Sequence, residues 1–190
     1  MIKTGHYLTF ATLIGCVSPS LLFAQNVDVK FTASIRETTC DMRITGGSGD
    51  ATNYIIPIGS GGKTSLDKII SADASASKPF TLDIVTCPSS ITRLKTTVSG
   101  TPSNYLNTAL TNNLSGAGAA TFLGATISRS GGGDPFVINS TSDATRLVWT
   151  SAEINSKSVG LVAKIVPTYG NDKATPGAFS ATATFNFTYE

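Results

Sequence analysis

Histidine is nearly missing from this chain, with one in 190 residues. Sulfur and indole are scarce too: three Cys, two Met and one Trp. Charged residues make up 14%, and 14 Lys and Arg almost balance 12 Asp and Glu. A formal charge of +2 leaves no electrostatic footprint for DNA or RNA. The composition is equally unlike an acidic solvating tail. No amphipathic helix of three or more turns and no internal repeat is visible, which argues against bundles and solenoids. What is abundant is Gly (18 residues), with Ser, Thr and Ala. That mixture suits short strands joined by turns.

One apolar run exists, at the start. Lys3 supplies a positive n-region, Tyr7 to about Val17 an apolar core, and Ser20, Leu22 and Ala24 lead to a cut before Gln25. Residues 1–24 read as a secretory signal peptide. The run is too short for a membrane anchor and is interrupted by Gly15 and Pro19. Removing it takes away Lys3, His6 and Cys16, so the exported chain has no histidine and two cysteines. The 166 residues that remain (190 less 24) suffice for one sizeable core.

Two cysteines in an oxidising compartment favour a single bond, Cys40–Cys87. The alternatives are two free buried thiols or a metal site, and two Cys without His make a poor zinc site. Closing a loop of 47 residues is worth about 4 kcal/mol in chain-entropy terms.

Strand signals recur along the chain. Val27, Val29, Phe31, Ala33 and Ile35 alternate with Asp28, Lys30, Thr32, Ser34 and Arg36, the period of a half-buried strand. Further strands are expected at Cys40–Ile44, Tyr54–Ile58, Phe80–Thr86, Leu94–Ser99, Phe122–Arg129, Phe136–Ile138, Arg146–Thr150, Ser158–Val166 and Ala178–Tyr189. Leu66–Ile70 suggests a short helical turn, Gly46–Gly49 a flexible turn, and residues 100–120 a long loop. In the last segment Phe179, Ala181, Ala183, Phe185, Phe187 and Tyr189 are all apolar or small, giving one buried face. Many short strands at roughly ten-residue spacing argue for an all-β sandwich.

Catalytic and ligand motifs fail. Serine and cysteine hydrolases need a base, usually His. Ser60–Gly61–Gly62–Lys63 matches S-x-x-K in letters only, inside a Gly-rich turn. Pro57–Thr64 resembles a phosphate-binding loop, but Pro57 stands where the pattern requires Gly, so nucleotide binding is not expected. Asp134 follows three glycines without a calcium-loop pattern, and no carboxylate pair is nominated for glycoside chemistry. The N-x-[ST] triplets at Asn113, Asn139 and Asn186 follow from the high Ser and Thr content. Trp149 reads as a core aromatic. No enzyme activity, metal or cofactor is expected.

Together, several features resemble the pilins of the chaperone–usher pathway, the type 1 fimbrial subunit family. These are an alternating strand before the first cysteine, Val85–Thr86–Cys87–Pro88 around the second, and a terminal alternating strand with a penultimate tyrosine. The resemblance covers the whole exported chain. It implies an incomplete immunoglobulin-like β-sandwich lacking its last strand, completed by strand donation from a partner. Residues 25–39 would be the donor extension and 40–190 the pilin domain. Val27, Val29, Phe31, Ala33 and Ile35 would be the donor side chains. Burying the four large ones would contribute roughly 1.5–3 kcal/mol each before ordering costs. Phe179, Ala181, Ala183, Phe185 and Phe187 would line the acceptor groove, and Tyr189 with Glu190 would be recognised by the chaperone. Implied partners are neighbouring fimbrial subunits, a periplasmic chaperone and an outer-membrane usher, with no nucleic acid or nucleotide. The chain would pass through the periplasm to the cell surface and support adhesion.

With one domain and a donor-like strand, the chain resembles an internal rod or minor tip subunit, not a two-domain adhesin. A different class also fits the strand pattern: a secreted, self-complete sandwich that recognises a glycan or protein, with Trp149 as platform.

Overall fold

The computed structural model describes residues 39–50 and 53–190. Residues 1–24, expected as a signal peptide, and the strand expected at 27–36, with the expected donor residues Val27, Val29, Phe31, Ala33 and Ile35, lie outside the described residues.

Among the described residues, ten strands and two short α-helices follow in order: β1 (Asp41–Thr45), β2 (Ser48–Gly49), β3 (Tyr54–Ile55), α1 (Leu66–Ile70), β4 (Ser77–Thr86), β5 (Leu94–Ser99), β6 (Ala109–Thr111), β7 (Leu123–Arg129), β8 (Leu147–Val148), α2 (Ser151–Ser156), β9 (Ser158–Pro167) and β10 (Thr184–Tyr189). They form an all-β sandwich. One antiparallel sheet has the order β1-β4-β9-β7-β6, the other β10-β5-β8, and β2-β3 is a small separate hairpin.

Period-two patterning builds the core between the sheets. Phe80, Leu82 and Ile84 of β4 point inward, as do Val159, Leu161 and Ala163 of β9. From the other sheet come Leu94 and Val98 of β5 and Leu147 of β8. Leu82, Leu94, Leu147 and Leu161 are at most 1% exposed, so the centre is closed to water. On the outer face of β4, Asp83 accepts from Thr81 Oγ1 (2.9 Å), Ser158 Oγ (2.6 Å) and Thr45 Oγ1 (3.1 Å), a polar row across three strands. A smaller apolar cluster around Ile69, Leu123 and Ile165 fills the end where β7 begins and β9 finishes.

Cys40 and Cys87 are joined, their Cα atoms 4.3 Å apart. The bond ties the residue before β1 to the residue after β4, closing the ladder where its register shifts between Asp41 and Met42.

Several sequence expectations need correction. Residues 100–120 are not all loop: Ala109–Thr111 pairs with β7. The Gly46–Gly49 turn contains β2, and its partner strand stops at Ile55 instead of Ile58. Phe136 and Ile138 are buried, but the segment forms no strand. Its amides go to isolated carbonyls, Phe136 N to Ile127 O and Ile138 N to Asn107 O. The strand expected through Thr150 ends at Val148 because Thr150 caps a helix. Its hydroxyl accepts from Glu153 N, while the Glu153 carboxylate accepts from Thr150 N. Ala178–Ala183 precedes β10 without joining its ladder.

Candidate functional site

β10 forms because its residues alternate. Thr184, Asn186 and Thr188 are exposed, while Phe185, Phe187 and Tyr189 turn toward the core. It pairs with β5 from Thr184↔Ser99 to Tyr189↔Leu94. One residue beyond, Glu190 and Arg93 exchange both main-chain bonds, Glu190 N to Arg93 O at 3.0 Å and Arg93 N to Glu190 O at 2.9 Å. Antiparallel ladders alternate bonded and non-bonded pairs. Counting back from Glu190, the main-chain N–H and C=O groups of Tyr189, Phe187 and Phe185 therefore point away from β5. No strand among the described residues pairs with that side.

The side chains repeat the message. Phe179, Ala181, Ala183, Phe185, Phe187 and Tyr189 all pack against the main core, yet each is only half-buried. Opposite them, the edge strand β1 offers Met42 and Ile44, also half-buried against the same core. Phe185 lies over Phe80 with ring centroids 6.0 Å apart. Thus a row of apolar side chains and a row of main-chain groups that no other described strand pairs share one edge, between β1 and β10. Covering the exposed part of each aromatic ring is worth on the order of 1 kcal/mol. All five residues expected to line an acceptor groove are brought together here.

The segment leading into β10 is fixed from behind. Asn113 N donates to Ser180 O (2.7 Å), and the Asn112 side chain accepts from Ser180 N (3.0 Å) and donates to Ala178 O (2.9 Å). Asn112 and Asn113 fell in a stretch expected to be loop, and only their polar character hinted at this clamp.

At the far end, the Tyr189 hydroxyl donates to Cys40 O (3.3 Å), bringing β10 to the start of β1. Burial pushes the Tyr189 phenol above its ordinary value. The Glu190 carboxylate accepts from Lys95 Nζ (2.6 Å), which also meets Asp143 (3.3 Å), and Asp143 in turn pairs with Arg146 (2.5 Å). The bond to Glu190 is the largest cause of a raised Lys95 pKa. Arg146 first, and then Lys95, holds Asp143 below the usual carboxylate range. Glu190 is therefore engaged through main chain and side chain alike.

Other expected features find other places. Trp149 is 4% exposed and donates from Nε1 to Thr96 Oγ1 (3.0 Å) inside the core, so it cannot serve as a glycan platform. Ser60–Lys63 closes a tight turn, Lys63 N donating to Ser60 O at 3.2 Å.

A two-sheet, all-β sandwich whose terminal strand is half-buried and, among the described residues, paired on one side only has the immunoglobulin-like architecture of a pilin. The chain belongs to the fimbrial protein family, whose model matches residues 25–190. It is also 30% identical over 202 aligned residues, covering all of both chains, to the uncharacterized fimbrial-like protein YadM of Escherichia coli (strain K12). The protein is a structural subunit of a cell-surface fimbria and associates with other fimbrial subunits.

Proposed function

We propose that this subunit is assembled by strand addition, with the open edge of β10 accepting an extended strand from a neighbouring subunit. The reading rests on one observation above the others. The main-chain groups of Phe185, Phe187 and Tyr189, unpaired among the described residues, lie on the same edge as their half-buried rings. An added strand satisfies both at once, main-chain bonds giving affinity and alternate side chains giving register. The donor is residues 25–39 of the next subunit, with Val27, Val29, Phe31, Ala33 and Ile35 facing the groove. Residues 1–24 direct export. A periplasmic chaperone covers the groove first, meeting the end at Tyr189 and Glu190, and an outer-membrane usher exchanges it for the donor strand. The fibre supports adhesion, and the role is structural, not enzymatic.

Direction follows from topology. Residue 40, through which the N-terminal segment joins the sandwich, lies at the Tyr189 end of β10. A contact between like ends closes as a dimer, whereas an open fibre needs unlike ends. The donor therefore enters at the Thr184 end and runs antiparallel to β10.

The test is Phe31→Asp in the full chain. It is expected to fold and be held by its chaperone but to form no fibres, because a charge would enter an apolar groove. Normal fibres on cells carrying this variant would refute the donor assignment.

A further inference from the structure

Three aromatic rings form a cluster at the end of the sandwich remote from the disulfide. Phe122 lies one position beyond the β7–β9 ladder, its carbonyl accepting from Thr168 N (2.8 Å). Tyr169 follows, and Tyr105 reaches both from the loop after β5. The Tyr105–Tyr169 centroids are 4.5 Å apart, and Phe122 lies 5.7 and 5.6 Å from the two tyrosines. Tyr105 is 55% and Tyr169 50% exposed, so large apolar faces stand in water. Phe122 has φ +53, a left-handed conformation that is strained for a bulky residue. Such strain tends to collect at ligand clamps and other functional sites.

Position identifies the occupant. Strand addition, on which this inference rests, stacks copies with unlike ends in contact. The cluster sits at the end where the donor strand enters. The other end, where the N-terminal segment leaves, carries Val85, which is 50% exposed beside the disulfide. We propose that the Tyr105–Phe122–Tyr169 cluster is a second subunit contact, seating the Val85 end of the next copy of this chain beside the shared strand. The donor strand alone is a single tether. An apolar contact next to it would limit bending between subunits.

The test uses fibres of the full-length chain carrying Tyr169→Lys, Val85→Asp or both. Each single variant is expected to take up a 25–36 peptide before assembly as unassembled wild type does, but to give fibres that dissociate at a lower temperature and bend more in electron micrographs. The pair, Lys facing Asp, is expected to recover most of that loss, the signature of two residues in contact. Should Tyr169→Lys fail to fold, Tyr105→Ser carries the same expectation for the first end. Single-variant fibres identical to wild type would overturn the contact, and so would losses that simply add in the pair. Glycan binding by wild type that Tyr169→Lys abolishes without altering its fibres would assign the cluster to a sugar instead. Wild-type protein that takes up no peptide and forms no fibres would remove the strand-addition reading itself, and this contact with it.

Discussion

Thr96 is fully buried and polar, an expensive combination unless partnered. The Trp149 indole N–H supplies the partner from 53 residues away. Trp149→Phe keeps an aromatic ring but leaves the Thr96 hydroxyl without its donor. The expected cost is about 1–3 kcal/mol in urea unfolding. Adding Thr96→Val should return part of it, since two apolar groups need no bond. A double variant less stable than Trp149→Phe would contradict this account. At this scale the sequence was only half legible. A lone tryptophan in a strand-rich chain reads as core, but nothing local names its partner. The same holds for Asp83, whose three hydroxyl donors come from β1, β4 and β9.

Among the elements, strands buried on one face were legible and the others were not. Phe80–Leu82–Ile84 and the odd positions of β10 announce their inward faces by alternation alone. β6 does not, because Ala109–Leu110–Thr111 is too short to show a period and its amides are assigned by β7. Thr150 and Glu153 carry the spacing of a capping box, the signal by which α2 was recoverable. Ala178–Ala183 keeps the alternation of β10 but loses the ladder, since the Asn112 side chain and the Asn113 main-chain N–H take main-chain groups of Ala178 and Ser180.

The end of β10 is also sensitive to alkali. The Tyr189 phenol and the Lys95 ammonium both have folded pKa values raised above their ordinary values of 10.0 and 10.5. A group raised in the folded state contributes its stability below the unfolded value and loses it as pH rises through the folded one. The thermal midpoint is therefore expected to hold through neutral pH and fall above about pH 10. Tyr189→Phe should remove the phenol's share of that fall. A flat profile to pH 11 in wild type would contradict this assignment.

For the molecule as a whole, composition and spacing already indicated two sheets of short strands and one disulfide. An open edge beside the terminal strand was what the resemblance to pilins implied, while alternation alone fitted an ordinary edge strand equally well. What spacing alone could not decide is which residues of β10 turn their main-chain groups to the open side, because that depends on the Glu190–Arg93 exchange fixing the bonding phase along the ladder. The central claim is that the edge accepts a strand. A chain lacking residues 25–36 should be purified and titrated with a synthetic peptide of those residues while thermal unfolding is followed. Binding confined to the folded state at about 100 times Kd adds about 2.7 kcal/mol. That corresponds to a midpoint rise of roughly 5–10 °C for a domain of this size. The account predicts such a rise, absent with a Phe31→Asp peptide. A stable truncated chain indifferent to both peptides would mean that the sandwich is already complete, and would contradict it.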